Sequence, residues 1–415
     1  MTADAITTDV AIIGAGPGGA SCAYWLALRG LSVTLFEKKT FPRDKTCGDG
    51  LTPRSVLALE EMGLGAFLQT KHRYRGLRAV AFGKQLEIPW PSHERYPDYG
   101  YVVTRAELDE AVAQRAEFVG ASLMQHHEVV EARYEGNSIT SLVVKNLDTS
   151  EEVEVHARYY VLAEGANSRV ARSLGLTRDR SEPMGLAIRG YYASPRASEP
   201  WIESHLDLRS EDGSVIPGYG WIFPLGDGRV NVGFGLLTNA ARWKSINTTT
   251  AMEQFVRHAD PSWKLGPETA LTVPTGGKLQ MGHVVTPKTG ANYLALGDTI
   301  ASINPFNGEG ISYAYETGHL AADALTAALE MDDPTLLRNY EDALRTSYEV
   351  YYRVARRFVK LISEPRVLSS SMWAAVHVPP LMTMVVRIMA NLMRNERKGA
   401  PELLYDAVTK TVLRQ

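Results

Sequence analysis

A short apolar strand, Val10-Ala-Ile-Ile13, runs directly into Gly14-Ala-Gly16-Pro-Gly-Gly19, and this junction constrains the fold more than any other part of the chain. The glycine loop opens an alanine-rich helix, Ala20 to Leu28, which Gly30 ends. Ser32 to Phe36 reads as a second strand, and the acid Glu37 closes it. Strand, glycines, helix, strand and acid in this register form a dinucleotide-binding unit. The glycines allow a tight turn and close backbone approach, the helix N-terminus receives a pyrophosphate, and the acid takes ribose hydroxyls.

The unit alone admits NAD or FAD, and distant segments narrow the choice. Tyr293-Leu-Ala-Leu reads as a strand ending in Gly297-Asp298, followed by Asn304-Pro305-Phe-Asn-Gly308-Glu-Gly310-Ile311 and an alanine-rich helix to Glu330. An acid at a strand end suits the ribityl chain of a flavin. The helix behind it aims its positive end at the N1/O2 edge, and Gly308 and Gly310 admit backbone close to the ring. A further strand, Tyr159 to Ala163, leads to Glu164-Gly165, and Arg105 opens a helix between these parts. Together these four pieces resemble the FAD signature of the para-hydroxybenzoate-hydroxylase-like flavoproteins over residues 5–330. The resemblance implies that Gly14, Gly16 and Gly19 hold the pyrophosphate, and Glu37 with Lys38 the adenosine ribose. It places Arg105 on the ribose–phosphate part and Asp298, beside Gly297, on the ribityl–phosphate side. The family usually has Asp-Gly where this chain has Glu164-Gly165; the longer acid can serve as a cap or as an acceptor.

Two further motifs carry chemistry. Phe41-Pro-Arg-Asp-Lys-Thr leads into Cys47-Gly48-Asp49-Gly50-Leu-Thr-Pro53, where two glycines around an acid permit backbone near a planar ring. The thiol is open to three readings: proton donor, redox partner or small buried apolar group. The second motif is Tyr219-Gly-Trp221-Ile-Phe223-Pro224, with Gly233-Phe-Gly235 eight residues on. Strand alternation puts Tyr219, Trp221 and Phe223 on one face, and the hairpin turns at Gly226 and Gly228. Such a row either packs a core or grips a flat or greasy ligand and shields positive charge.

Taken together, the Cys47 and Tyr219 motifs resemble the geranylgeranyl reductase family, FAD enzymes that saturate isoprenoid C=C bonds. Within that family the chain is most similar to the bacterial menaquinone reductases. The resemblance implies FAD as cofactor and a polyprenyl substrate, with menaquinone favoured over geranylgeranyl diphosphate or geranylgeranyl lipids. It implies a catalytic role for Cys47, Tyr219 and Trp221 and a substrate wall of Tyr219, Trp221, Phe223, Pro224, Gly233 and Gly235. Cys47, Gly48, Asp49 and Gly50 would lie along the cofactor with Pro305, Gly308, Gly310 and Ile311. An aromatic hydroxylase or halogenase on the same fold is the alternative from another mechanistic class, but it has no use for the Cys47 motif. The electron donor stays open between NAD(P)H and an electron-transfer protein, because no second glycine-rich βαβ unit is present.

The expected architecture is mixed α/β. A discontinuous Rossmann-type FAD domain (1–76, 100–182, 286–330) carries an inserted antiparallel substrate sheet (77–99, 183–285), and a helical region (331–415) follows. A net charge of −3 gives no basis for nucleic-acid binding, and the two cysteines have no metal-ligand spacing. No signal peptide and no run of eighteen apolar residues is visible, so a cytoplasmic protein on the inner face of the membrane is expected. Two C-terminal features bear on that. Arg353, Arg356, Arg357 and Lys360 either suit a helix C-terminus or meet anionic headgroups. Leu381 to Arg394 carries one polar stripe, Thr383, Arg387, Asn391 and Arg394, and is either a buried helix closing the substrate tunnel or an interfacial helix.

Overall fold

The computed structural model describes residues 5–209, 213–216, 218–238, 246–394 and 398–413. Parts of the expected substrate and helical regions, at 210–212, 217, 239–245 and 395–397, therefore lie outside the described residues. The strand Ile6–Ile13 is the centre of a seven-stranded sheet, paired in parallel with Val33–Glu37 on one side and Glu152–Leu162 on the other. Ser122–Gln125 extends the parallel edge. The eleven-residue strand Glu152–Leu162 has two further partners on its other side. Its first half pairs antiparallel with Ser138–Asn146, and its end pairs in parallel with Tyr293–Ala295. This brings the Gly14, Glu164 and Gly297 turns to the same, carboxyl end of the sheet, where ligands bind in open α/β folds.

The helix Pro17–Leu28 starts with Pro at its first turn and is buried almost throughout. The helix Ile311–Glu330 crosses it at glycines, since a Cβ on Gly318 would stand 2.5 Å from Gly18 O.

A second seven-stranded sheet runs in the order Thr275–Leu279, Gly185–Ala193, Arg229–Leu237, Gly218–Pro224, Trp201–His205, Gly76–Ala81, Lys84–Pro89. Its pairs are antiparallel except Trp201–His205 with Gly76–Ala81. The pleat splits the hairpin cleanly. Ile222, Val230, Val232, Phe234 and Leu236 form one core with Met252, Phe255 and Val256 of the helix Thr248–His258. The other face carries Tyr219, Trp221 and Phe223, which stand opposite Gly235, Gly233 and Asn231 across the ladder.

The C-terminal helices supply protein partners to several of these side chains. Arg353 pairs with Glu349, Lys360 with Glu182 at 2.9 Å, and Arg356 donates to Gly282 O at 2.6 Å. At least three cations of that cluster are thus occupied by protein. The helix Pro379–Met389 is the buried alternative: Met382, Val386 and Arg387 are buried, and Arg387 pairs with Glu402 of the helix Ala400–Leu413 at 3.3 Å. Of its polar stripe, Arg387 and Arg394 meet Glu402 while Thr383 is exposed, and Met384, Val385 and Ile388 are half-buried. Among the described residues no single helix is long and apolar enough to cross a membrane.

Candidate active site

The nucleotide loop is built around missing side chains. Gly14 has φ +102°, and a Cβ there would stand 2.5 Å from Ala163 O; one on Gly19 would stand 1.9 Å from Gly14 O. Gly16 differs. A Cβ on it meets nothing nearer than the Arg43 guanidinium at 3.9 Å, so the space in front of the helix N-terminus is open. Gly165, at φ +80°, is similarly open, with Lys45 Nζ 4.0 Å away. These are positions where a side chain would fill a cradle rather than collide with protein.

Glu37 is buried and accepts from Ala15 N at 3.3 Å, Lys39 N at 3.0 Å and Arg43 Nη2 at 3.0 Å. Oε1 takes only one of these donors, which leaves it acceptor capacity for a hydroxyl. Lys38 is exposed beside it. At the far end of the cleft Asp298 keeps a partly exposed carboxylate, 3.3 Å from Lys45 Nζ. The turn Gly297–Ile300 holds it, close to Gly310 at the start of the helix Ile311–Glu330. Gly308, at φ +76°, lies in the loop between, with Pro305 buried and Ile311 opening the helix. Open glycine positions, an acid at each end and a helix N-terminus fit an extended dinucleotide with a flavin at the Asp298 end.

Three residues expected along the cofactor have protein partners. Arg105 is 4 % exposed and gives its guanidinium to Asp109 in two 2.7 Å bonds. Asp109 also holds Arg43 at 2.9 Å, and it is Arg43, with a buried Nε lacking any partner, that faces the glycine loop. Arg105, Asp109 and Arg43 thus form one chain of ion pairs that ends beside Gly16. Glu164 caps a helix: its carboxylate accepts from Arg169 N, Val170 N and Ala171 N at 2.8–3.0 Å. Asp49 is 0 % exposed. It accepts from Tyr191 Oη at 2.5 Å, Asn231 Nδ2 at 2.7 Å and Arg105 N at 3.2 Å, so it braces the loop from inside. Desolvation raises its carboxyl to about 6.

The Cys47 motif and the aromatic row meet. A Cβ on Gly48 would lie 3.0 Å from the Phe223 ring and 3.4 Å from Trp221 Nε1, and one on Gly50 3.0 Å from Phe223. The planar ring that these glycines admit on this side is Phe223. Along the row, Tyr219 and Trp221 have ring centroids 5.8 Å apart, and Trp221 and Phe223 6.2 Å. Tyr219 Oη donates to Asn307 O at 2.8 Å, tying the wall to the Gly308 loop. Pro224 ends the strand, buried. Burial pushes the Tyr219 hydroxyl up to about 12 and raises the Cys47 thiol as well. Cys47 Sγ accepts from Asp49 N at 3.4 Å, an arrangement that leaves its own S–H free to point elsewhere.

A model of the FAD binding domain family matches residues 7–350. The chain belongs to this family. FAD is its cofactor, and the cradle fits it. Relatives within reach are a menaquinone reductase of Mycolicibacterium smegmatis, 41 % identical over 94 % of this chain and 92 % of that one, and a menaquinone reductase of Mycobacterium tuberculosis, 38 % identical over the same shares. Among solved structures, a geranylgeranyl bacteriochlorophyll reductase-like protein from Thermoplasma acidophilum superposes with a TM-score of 0.78. It covers 99 % of this chain and 98 % of that one at 21 % identity, a likeness of fold. Arg43, Asn231 and Tyr191 adjoin the expected site residues and carry no local motif that marks them.

Proposed function

We propose that this flavoprotein saturates an isoprene C=C bond in the polyprenyl tail of menaquinone. The observation that carries the reading is the contact of Cys47-Gly-Asp-Gly50 with the aromatic row of Tyr219, Trp221 and Phe223, beside the Gly308 loop. The relatives named menaquinone reductase support menaquinone over other prenyl compounds.

Reduced FAD supplies hydride when bound. The chain supplies an aromatic wall, orientation and a proton. Protonation of a trisubstituted alkene develops tertiary cation character, and each aromatic face turned to it stabilises it by roughly 0.5–2 kcal/mol. Burial keeps the Cys47 thiol protonated at neutral pH, with its hydrogen uncommitted, which suits a proton donor or relay. Tyr219 is also protonated, but its hydrogen is held by Asn307 O, which suits a positioning wall.

Access for the lipid substrate is proposed at the corner between the helices Pro365–His377 and Pro379–Met389, which bend by 117°. Trp373 is 53 % exposed there, with Val378 and Arg366 also exposed and Phe82 lining the same groove. Apolar side chains next to a cation suit the surface of an anionic bilayer. Flotation with anionic liposomes should fall in W373A/V378D, and unchanged flotation removes this corner from the account. The electron donor would be NAD(P)H or an electron-transfer protein, and anaerobic bleaching of the flavin by each distinguishes them. For the reaction itself, quinones extracted from cells with and without the gene should differ by two hydrogens in the tail. Identical quinone profiles count against the reading.

A further inference from the structure

We propose that Asn231 is the positioning residue that fixes Cys47 and Trp221 relative to each other. The inference rests on the prenyl-reducing role assigned to those two side chains. Asn231 is 0 % exposed and projects from the strand Arg229–Leu237. Its Oδ1 accepts from Trp221 Nε1 at 2.9 Å, and its Nδ2 donates to Cys47 O at 2.8 Å and to Asp49 Oδ2 at 2.7 Å.

The orientation of the amide is dictated by its neighbours. A carbonyl and a carboxylate stand on one side and an indole N–H on the other, so a flipped amide would set its oxygen against two acceptors and its NH2 against a donor. Both amide hydrogens and the oxygen are used. Asp49, the second leg of the bracket, sits at φ +65°, a left-handed conformation uncommon for a residue with a side chain. It is held there by Tyr191 Oη, Asn231 and the Arg105 backbone N–H, with the Arg189 guanidinium as a further nearby charge.

One side chain thus joins three elements. The Trp221 ring already lies flat over Gly233, and Asn231 fixes which way its polar edge turns. The same amide clamps the peptide of Cys47, so the thiol cannot drift along the row. Aspartate at 231 keeps the shape but faces Asp49 and Cys47 O with acceptors. Alanine leaves the indole N–H and the Cys47 carbonyl without their partner and removes one of the three donors to Asp49.

Thiol labelling of the FAD-loaded protein reads this directly, because the chain has two cysteines and Cys22 is 0 % exposed. N231A and N231D should raise the Cys47 labelling rate on the order of tenfold, as the loop opens. They should lower kcat for prenyl reduction about tenfold or more, while KM moves far less. Val232→Ala, a buried change on the opposite face of the same strand, is the structural control and should leave labelling at the wild-type rate. If N231A does not fold, N231D carries the test. Labelling and kcat in the Asn231 variants equal to those of V232A would overturn the bracket. Altered labelling in a protein that reduces no prenyl substrate would keep the bracket and sink the functional reading instead.

Discussion

Gly233 stands directly across the ladder from Trp221, and a Cβ at Gly233 would lie 2.0 Å from Trp221 Cζ2. The indole therefore occupies the volume that any other residue at 233 would need. G233A should displace the ring, costing about 1–3 kcal/mol of stability from overpacking. It should also abolish most prenyl reduction while bound FAD is kept. Denaturant melts and flavin absorbance check the two halves, and a G233A protein of wild-type activity would show that Trp221 is not part of the wall.

The nucleotide loop offers a test in which stability and cofactor part company. Gly16 has ordinary φ (−71°) and an unobstructed Cβ direction. G16A should leave the apoprotein within about 0.5 kcal/mol of wild type and yet purify with little FAD. G19A, whose Cβ would meet Gly14 O at 1.9 Å, should lose both stability and flavin. Full flavin content in G16A would mean that the space before that helix is not where the pyrophosphate lies.

Glu164 accepts from three backbone N–H groups of one short helix. E164A should cost about 1–2 kcal/mol, the usual size of a lost cap, and leave FAD affinity close to wild type. Isothermal titration of the apoprotein with FAD is the check. A large affinity loss without a stability loss would assign Glu164 to the cofactor after all.

The Asp49 carboxyl sits near 6 in the folded protein against an ordinary value of 3.8. A raised carboxyl holds its proton better folded than unfolded. Its contribution to stability is therefore full below about pH 4 and is lost as pH rises through 6, by at most about 3 kcal/mol. D49N should flatten the stability profile of the apoprotein in that window, seen as a wild-type minus D49N difference that shrinks from pH 4 to 7. A difference constant across the window would mean that Asp49 does not titrate there.

Much of this was legible from sequence because the signals are local. The spacing from Gly14 to Glu37 fixes a strand, turn and helix whatever surrounds them, and alternation alone puts Tyr219, Trp221 and Phe223 on one face. What escaped depends on distant partners. Asn231 and Tyr191 look like ordinary strand residues until the ladder brings them over Asp49. Arg43 becomes the cation at the glycine loop only because Asp109 holds both it and Arg105. The stripe through Arg387 predicts an amphipathic helix correctly but cannot say which face meets water. Here Glu402 of the last helix takes Arg387.

In the proposed reaction, hydride and proton are added to a prenyl double bond between FAD and the wall of Cys47, Tyr219 and Trp221. Anaerobic single turnover of the chemically reduced protein with menaquinone, followed by mass spectrometry of the tail, tests it most directly. Wild type should form a product with two added hydrogens, and C47A and W221A should form it far more slowly. An unchanged tail, or a product that forms only when oxygen is admitted and carries an added oxygen atom, would contradict it.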